Sequence, residues 1–490
     1  MLSKTSRLSL LITLGRSLAH ETDAASVTAD QLNAVWSAPS YRMDPGTYAT
    51  KMLGWTSFAD MGLNTTGNPH SSGVSGSDMW GWKDPNNGKM VVAMATTCNI
   101  NMIDVTDPTH HLVRASFNTP CTDTHDVKIH NGIAYVTSDN RPNKTGYENF
   151  ETEAQTYGAV QRFDVRSSVM TELNPIRIVG RATNAVHNFA INPDTNTLYL
   201  GTMRPYAWAG TEVIDISVEP PVFVARLGSE NQYRNFHDMH VLSPTTGTYA
   251  GKEIVVGAVT SGAPLLSVSS DLSNNDAAHA YDGVVLWDVT DKTNPPIELL
   301  FARYSDKARF SHQVWATDDL SYVYVNDEGL YGFWIPDEYK DAEGAMVTES
   351  VGFVIDVRDP THVHAANFST GIPTKNHNMY VRGDKLYWSN YQSGVLVYDI
   401  KTPMEPRLIA RFDPDATGDN GWGGSWTNYP FFDYNGSPFV VNADRYFGLQ
   451  TFELELCKDV RATFKDRRCC GASEEPSLLA TPALTLSHTH

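Results

Sequence analysis

Residues 375–412 read KNHNMYVRGDKLYWSNYQSGVLVYDIKTPMEPRLIARF. Four short apolar runs stand out in this stretch: HNMYV, KLYWSN, GVLVYDI and RLIARF. Gly383-Asp384 is turn chemistry that folds the first two runs into a hairpin. The segment KTPMEP is rich in turn formers and separates the last two. The stretch therefore predicts a four-stranded antiparallel unit, built in order a, b, c, d, with strand c ending in Asp399.

That unit recurs along the chain. Strand c reappears as NMIDV at Asp104, QRFDV at Asp164, EVIDI at Asp215, VLWDV at Asp288 and FVIDV at Asp356. A seventh copy, QTFEL, carries Glu453 in place of the aspartate. Turn segments follow several copies, such as TDPTHH from Thr106, TDKTNPP from Thr290 and RDPTHVH from Arg358. Hairpins of the a–b kind precede them: HDVKIH from His125 with NGIAYVTS from Asn131, and the matching runs that begin at His187 and His312. One such unit exposes two apolar faces, and seven packed radially bury them. The expected fold is all-β, a seven-bladed β-propeller of four-stranded antiparallel blades. An open β-solenoid is the alternative, but four-stranded meanders of this length normally close. Blades are expected to start near Ser77, His125, His187, His237, His312, His377 and Trp426. The last one has no strand d after Glu453, so the stretch before Ser77 is expected to supply it and latch the ring.

This gives a division into a targeting segment (1–19), an N-terminal extension that partly completes the last blade (20–75), the propeller (76–456) and a polar, Cys-containing tail (457–490). In the targeting segment, Lys4 and Arg7 precede an apolar run at 8–14, and Ser17-Leu18-Ala19 offers small residues for a signal peptidase. Secretion to the exterior or cell surface is the expectation. A mitochondrial presequence is the alternative, because Arg16 follows the apolar run and no acid precedes Glu21. Sequons at Asn64, Asn143 and Asn367 favour a secreted glycoprotein. Lys and Arg total 37 against 56 Asp and Glu, a net charge of −19, which repels nucleic acid and anionic lipid. No apolar run is long enough to span a bilayer.

The stretches GSDMWGWKDPNNGKMVVAMAT, KNHNMYVRGDKLYWSNYQSGVLVYDI and GGSWTNYPFF, with the repeated His-Asp/Asn strand starts, resemble the choice-of-anchor B proteins. These are surface propellers whose blades carry the LVIVD repeat. The resemblance covers roughly residues 75–455 and implies a propeller and an extracellular place, without implying a reaction. No C-terminal anchor is readable, which departs from the anchored pattern.

Five consecutive blades begin strand a with histidine followed by an amide or acid: His125-Asp126, His187-Asn188, His237-Asp238, His312-Gln313 and His377-Asn378. Asn428 takes the second position in the last blade. Strand a is innermost, so the imidazoles are expected to meet at one mouth of the central channel. Converging imidazoles suit Fe, Cu or Zn, and Asp126, Asn188, Asp238, Gln313, Asn378 and Asn428 are expected to orient the rings from behind. A structural reading competes: a histidine repeated at a strand start can bond the next blade's backbone. The longest b–c loops, 138–159, 260–282 and 327–350, emerge on the same face and bring Tyr147, Tyr281, Tyr331 and Trp334 with Asp139, Asp327 and Glu328. That is the face on which a small-molecule, glycan or protein ligand is expected. A metal-dependent oxidoreductase or hydrolase fits this reading, and a non-enzymatic binding or adhesion module is the alternative. His110, His111, His362 and His364 fall in outer turns and are expected to face solvent.

The cysteines follow from the same geometry. Cys98 lies in the b–c loop of the first blade and Cys121 in the d–a connection to the second, so both emerge on the His face. They are expected to form a disulfide. Cys457 is expected to pair with Cys469 or Cys470.

Overall fold

The protein is a seven-bladed β-propeller, seen here in a computed structural model that describes residues 48–63, 74–122, 124–139, 158–167, 169–177, 185–201, 211–227, 236–259, 282–305, 308, 310–328, 350–372, 374–414 and 423–456. Strand β1 (Tyr48–Thr56) belongs to the last blade. Blade 1 is β2 (Gly76–Lys83), β3 (Met90–Thr96), β4 (Asn99–Asp104) and β5 (Leu112–Asn118). Blade 2 is β6 (His125–His130), β7 (Ile133–Ser138), β8 (Val160–Asp164) and β9 (Thr171–Ile176). Blade 3 is β10 (Phe189–Asn192), β11 (Thr197–Leu200), β12 (Thr211–Asp215) and β13 (Val222–Leu227). Blade 4 is β14 (Phe236–Leu242), β15 (Ile254–Val259), β16 (Gly283–Asp288) and β17 (Ile297–Ala302). Blade 5 is β18 (Ser311–Ala316), β19 (Tyr322–Asp327), β20 (Val351–Asp356) and β21 (His364–Ser369). Blade 6 is β22 (Met379–Arg382), β23 (Lys385–Ser389), β24 (Val395–Asp399) and β25 (Arg407–Phe412). In blade 7, β26 (Ser425–Tyr434), β27 (Ser437–Asp444) and β28 (Gly448–Leu456) are completed by β1, which runs antiparallel to β28 from Tyr48↔Leu456 to Thr56↔Leu449.

Seven apolar clusters hold the ring, one between each blade and the next. In one of them Met52 of the latch strand and Phe452 pack with Tyr387, Val397 and Phe412 of blade 6. The ring is thereby closed by burial of apolar surface on both faces of every blade.

The repeated aspartate has a local cause. In each of the first six blades the strand-c aspartate accepts the backbone N–H two residues on: Asp104 from Thr106, Asp164 from Arg166, Asp215 from Ser217, Asp288 from Thr290, Asp356 from Arg358 and Asp399 from Lys401. These are Asx turns that swing the chain into strand d. Glu453 needs none, because β28 runs on to Leu456 and its strand d arrives from the N-terminal side; Glu453 instead pairs with Lys51 of β1 at 2.9 Å.

His111 departs from expectation. Its ring lies against the latch, with Nδ1 2.8 Å from Thr56 Oγ1 and Nε2 3.0 Å from Thr451 Oγ1, and burial pushes its pKa down to about 4. The absence of a side chain at Gly54 allows this approach, because a Cβ there would lie 2.4 Å from the Pro108 carbonyl and 2.7 Å from His111 Nε2. His110, His362 and His364 are exposed.

Cys98 and Cys121 form a disulfide, with α-carbons 4.2 Å apart. Cys457, Cys469, Cys470, Asn64, Asn143, the loop aromatics Tyr147, Tyr281, Tyr331 and Trp334, and the segments 1–47 and 457–490 lie outside the described residues. Asn367 is exposed on the outer strand β21.

Candidate functional site

The histidines stand at one end of the channel, at or just before the start of strand a in blades 2 to 6. They do not form one ring. His125 is buried between strands: its Nδ1 faces Thr137 O at 3.2 Å and Ser138 Oγ at 3.0 Å, and its Nε2 faces the Thr97 carbonyl of blade 1 at 3.5 Å. The other four touch in sequence around the mouth. Ring centroids are 4.5 Å apart for His187–His237, 4.4 Å for His237–His312 and 4.4 Å for His312–His377.

Within this arc two groups form. His187 Nε2 and His237 Nε2 are 2.9 Å apart. Further round, one nitrogen each of His312 and His377 and a carboxylate oxygen of Glu328 lie within 4.8 Å of one another, all three residues buried. Glu328 Oε2 is 3.9 Å from His312 Nε2. Its other oxygen, Oε1, accepts a 2.7 Å hydrogen bond from Tyr391 Oη.

Tyr391 is held in a demanding backbone conformation. Its φ of 47° is left-handed, which is unusual for a bulky non-glycine residue and costs on the order of 1 kcal/mol or more. Two backbone hydrogen bonds with Ser425 secure it, N–H to O in each direction. Its buried ring packs edge-on against His377 at 4.8 Å.

The hydrogen bonds settle which nitrogens carry protons. His237 Nδ1 lies 2.8 Å from the His312 carbonyl oxygen, which can only accept. His377 Nδ1 likewise donates to the Trp426 carbonyl. His187 Nδ1 faces the Asp139 carboxylate at 2.9 Å. His377, which burial keeps neutral, therefore leaves Nε2 as its bare nitrogen. Burial, with the neighbouring histidines adding to it, pushes the His312 pKa well below its ordinary value; burial pushes His377 down to about 3. Both are neutral imidazoles with lone pairs to offer.

The residues expected to orient the rings have a different job. Asp126 Oδ2 accepts Phe189 N–H of the next blade at 2.8 Å, and its Oδ1 accepts Val127 N–H and pairs with Lys128. Gln313 Oε1 accepts Met379 N–H of the next blade. Asp238 accepts Met239 N–H at 2.6 Å. Asn378 reaches Asp78 at 3.5 Å, and Asn428 donates to Ser389 Oγ at 3.0 Å. Asn188 Oδ1 has no partner among the described residues. Asp78, in the first blade, accepts Val127 N–H at 3.0 Å. Asp78, Asp126 and Gln313 thus stitch strand a to strand a. Burial first, then the charge of Asp126, pushes the Asp238 pKa up to about 7. Deeper still, Trp80, Trp315, Tyr380 and Phe431 pack together, and His240 stacks on Trp315 at 3.9 Å.

Asp139 and Glu328 are the carboxylates that meet the imidazoles, and the repeat pattern does not mark them. The register explains their place. Val127 pairs with Val136 and Val314 with Val325, so Asp139 and Glu328 both fall three residues beyond the paired position, just past strand b. Met379 pairs with Trp388, which puts Tyr391 at the same station in blade 6.

No protein-family profile matches the chain, and no curated protein matches it. Solved structures with a similar course are propellers. They include the WD40 repeats of RRP9 (9% identity, 84% of this chain and 100% of that one, TM-score 0.48) and the β-propeller domain of Myceliophteria thermophila Cps50 (Swd1) (8%, 80% and 99%, 0.47). The N-terminal domain of Nup159 is a third (10%, 84% and 98%, 0.46).

Proposed function

We propose that this chain is a secreted or cell-surface propeller of the choice-of-anchor B type whose channel mouth binds a divalent transition metal through His312, Glu328 and His377. The observation that carries the reading is the trio itself: two neutral imidazoles and a carboxylate, buried together, with the carboxylate held by a tyrosine in a strained conformation. Strain of this kind persists where the surroundings over-determine it, and it collects at functional sites. Two imidazoles and one carboxylate are the donor set of hydrolytic zinc sites and of non-haem iron(II) oxygenases, and both keep positions open for water or substrate. A hydrolase or an oxidoreductase acting on a small molecule fits that set. The Cys98–Cys121 disulfide supports export, since such bonds persist in oxidising compartments. The charge of −19 argues against a nucleic-acid partner.

A second reading, a non-enzymatic binding or adhesion module with structural histidines, is favoured by His125, whose ring meets Thr137 O and Ser138 Oγ of β7 through Nδ1 and the Thr97 carbonyl of blade 1 through Nε2. Zinc calorimetry separates the two. Chelator-stripped protein should bind zinc, and Glu328→Gln should weaken binding by at least about tenfold while the metal-free melting temperature holds. Equal affinity in the variant, or no binding in the parent, would leave the structural reading standing.

A further inference from the structure

One residue along from the histidines, the channel holds a buried group of charges that does not add up to zero. Asp78 of β2 and Asp126 of β6 are 2% and 3% exposed. Asp78 Oδ2 and Asp126 Oδ1 accept the same backbone donor, Val127 N–H, at 3.0 and 2.9 Å. The same two oxygens meet the same ammonium, Lys128 Nζ, which lies 3.3 Å from Asp78 and pairs directly with Asp126. The two carboxyls are within hydrogen-bonding reach of each other. The walls are apolar: Lys128 Nζ is 5.1 Å from the centre of the Trp80 ring and 5.5 Å from that of Phe189. Two carboxylates on one ammonium would leave a negative charge uncompensated in that setting, which is costly. Carboxyl groups in contact relieve the cost by keeping one proton between them.

We propose that Asp78 and Asp126 share one proton and, with Lys128, form a pH-sensitive clasp that ties strand a of blades 1, 2 and 3 together around the channel. The tie is direct: Asp78 holds Val127 N–H of blade 2, and Asp126 Oδ2 holds Phe189 N–H of blade 3 at 2.8 Å. The proton sits on Asp78. Burial, against the charge of Lys128 and with that of Asp126 adding to it, pushes the Asp78 pKa well above 3.8. Burial works the same way on Asp126, but Lys128 and the hydrogen bond from Asp78 outweigh it and hold Asp126 below 3.8.

The surrounding titratable groups do not supply the missing positive charge. Across the channel, Asp238 of β14 is a third acid, Tyr380 of β22 is kept neutral by burial, and burial pushes His240 of β14 down to about 3. Strands β3 and β10 carry no titratable side chain. Tyr135 of β7 lies beside Arg162, Asp433 of β26 pairs with Arg382, and Asp444 of β27 accepts Tyr446 N–H. On β2 and β6 themselves, Lys83 is exposed, His125 turns to Ser138 and His130 to Asn196.

The sign follows from Asp78. In the folded chain its carboxyl keeps a proton that the unfolded chain, with an ordinary value of 3.8, gives up. The stability this proton contributes is complete below the unfolded value and is lost as pH rises through the folded one. Asp126 runs the other way, and its contribution is lost only as pH falls below 3.8 through its folded value. The clasp is therefore tight in mild acid and loosens towards alkaline pH.

The test is chemical denaturation of the chelator-stripped, disulfide-intact full chain between about pH 5 and pH 9. It compares Asp238→Asn, which removes the third acid, with Asp78→Asn/Asp238→Asn, in which an amide replaces the protonated Asp78 carboxyl. The unfolding constant of the single variant should rise by up to about tenfold more per pH unit than that of the double variant, which gains on it as pH rises. Parallel curves would show both carboxyls ionised and overturn the proposal. If the double variant does not fold, infrared spectroscopy of folded Asp238→Asn carrying isotope-labelled aspartate decides instead. A protonated aspartate band should persist at about pH 6, well above the ordinary carboxylate value, and vanish on unfolding. A folded chain whose aspartates are all ionised at that pH would overturn the clasp.

Discussion

Two layers of side chains lie one residue apart around the channel, and they behave differently. Two of the residues that follow a histidine, Asp126 and Gln313, reach the backbone N–H of the following blade. Those two are explained by the need to satisfy inner-strand donors, which cost free energy when buried without a partner. The histidine layer is not so explained. Backbone carbonyls or Asp139 take up Nδ1 of His187, His237 and His377, and the opposite nitrogens of His187 and His237 turn on each other. Repetition alone therefore does not distinguish architecture from chemistry. Where the second ring nitrogen points does.

The sharpest way to break the comparison is to cut the architectural layer. Asp126→Ala leaves the Phe189 N–H without its acceptor and Lys128 with Asp78 alone of its two carboxylate partners. Removing one member of a buried ion pair costs about 3–5 kcal/mol, so chemical denaturation should show a loss of that order. Metal bound per folded molecule should not change. If Asp126→Ala lowers metal stoichiometry in protein that remains folded, the two layers are not separate.

A smaller effect comes from the disulfide, which sits on the mouth face yet belongs to the architecture. Replacing both Cys98 and Cys121 by Ser should cost about 3 kcal/mol by the loop-entropy account. Melting and metal uptake measured side by side should show a lower midpoint and unchanged stoichiometry. A change in metal content would tie that edge of blade 1 to the site.

How much of this was legible beforehand follows from which features repeat. The strand-c aspartates were readable because each makes the same Asx turn, and Glu453 was readable as the exception because its blade takes strand d from elsewhere. The cysteine pair was readable because alternate strand direction puts both loops on one face. The carboxylates at the mouth were readable as acids that the b–c loops bring to the His face, but not as the partners of particular histidines. The station just past strand b holds Asp139 in blade 2, Glu328 in blade 5 and Tyr391 in blade 6, so those three blades share no residue type there. Nor could a repeated strand start say that His125 would turn into its own blade while His187 and His237 turn towards each other, since that depends on rotamers and on what accepts from Nδ1. The role of Asp126 and Gln313 was hidden for the same reason: adjacency in sequence suggested support for the rings, and the pleat sends the side chains to the neighbouring backbone.

The most direct measurement is elemental analysis of the full chain, expressed without a histidine tag and purified without chelator, compared with His312→Gln and His377→Gln prepared in parallel. The account predicts about one or more equivalents of a first-row transition metal in the parent and a loss of about one equivalent in each variant, with both variants folded. A parent that carries no transition metal, and takes up none when it is supplied, would contradict the account.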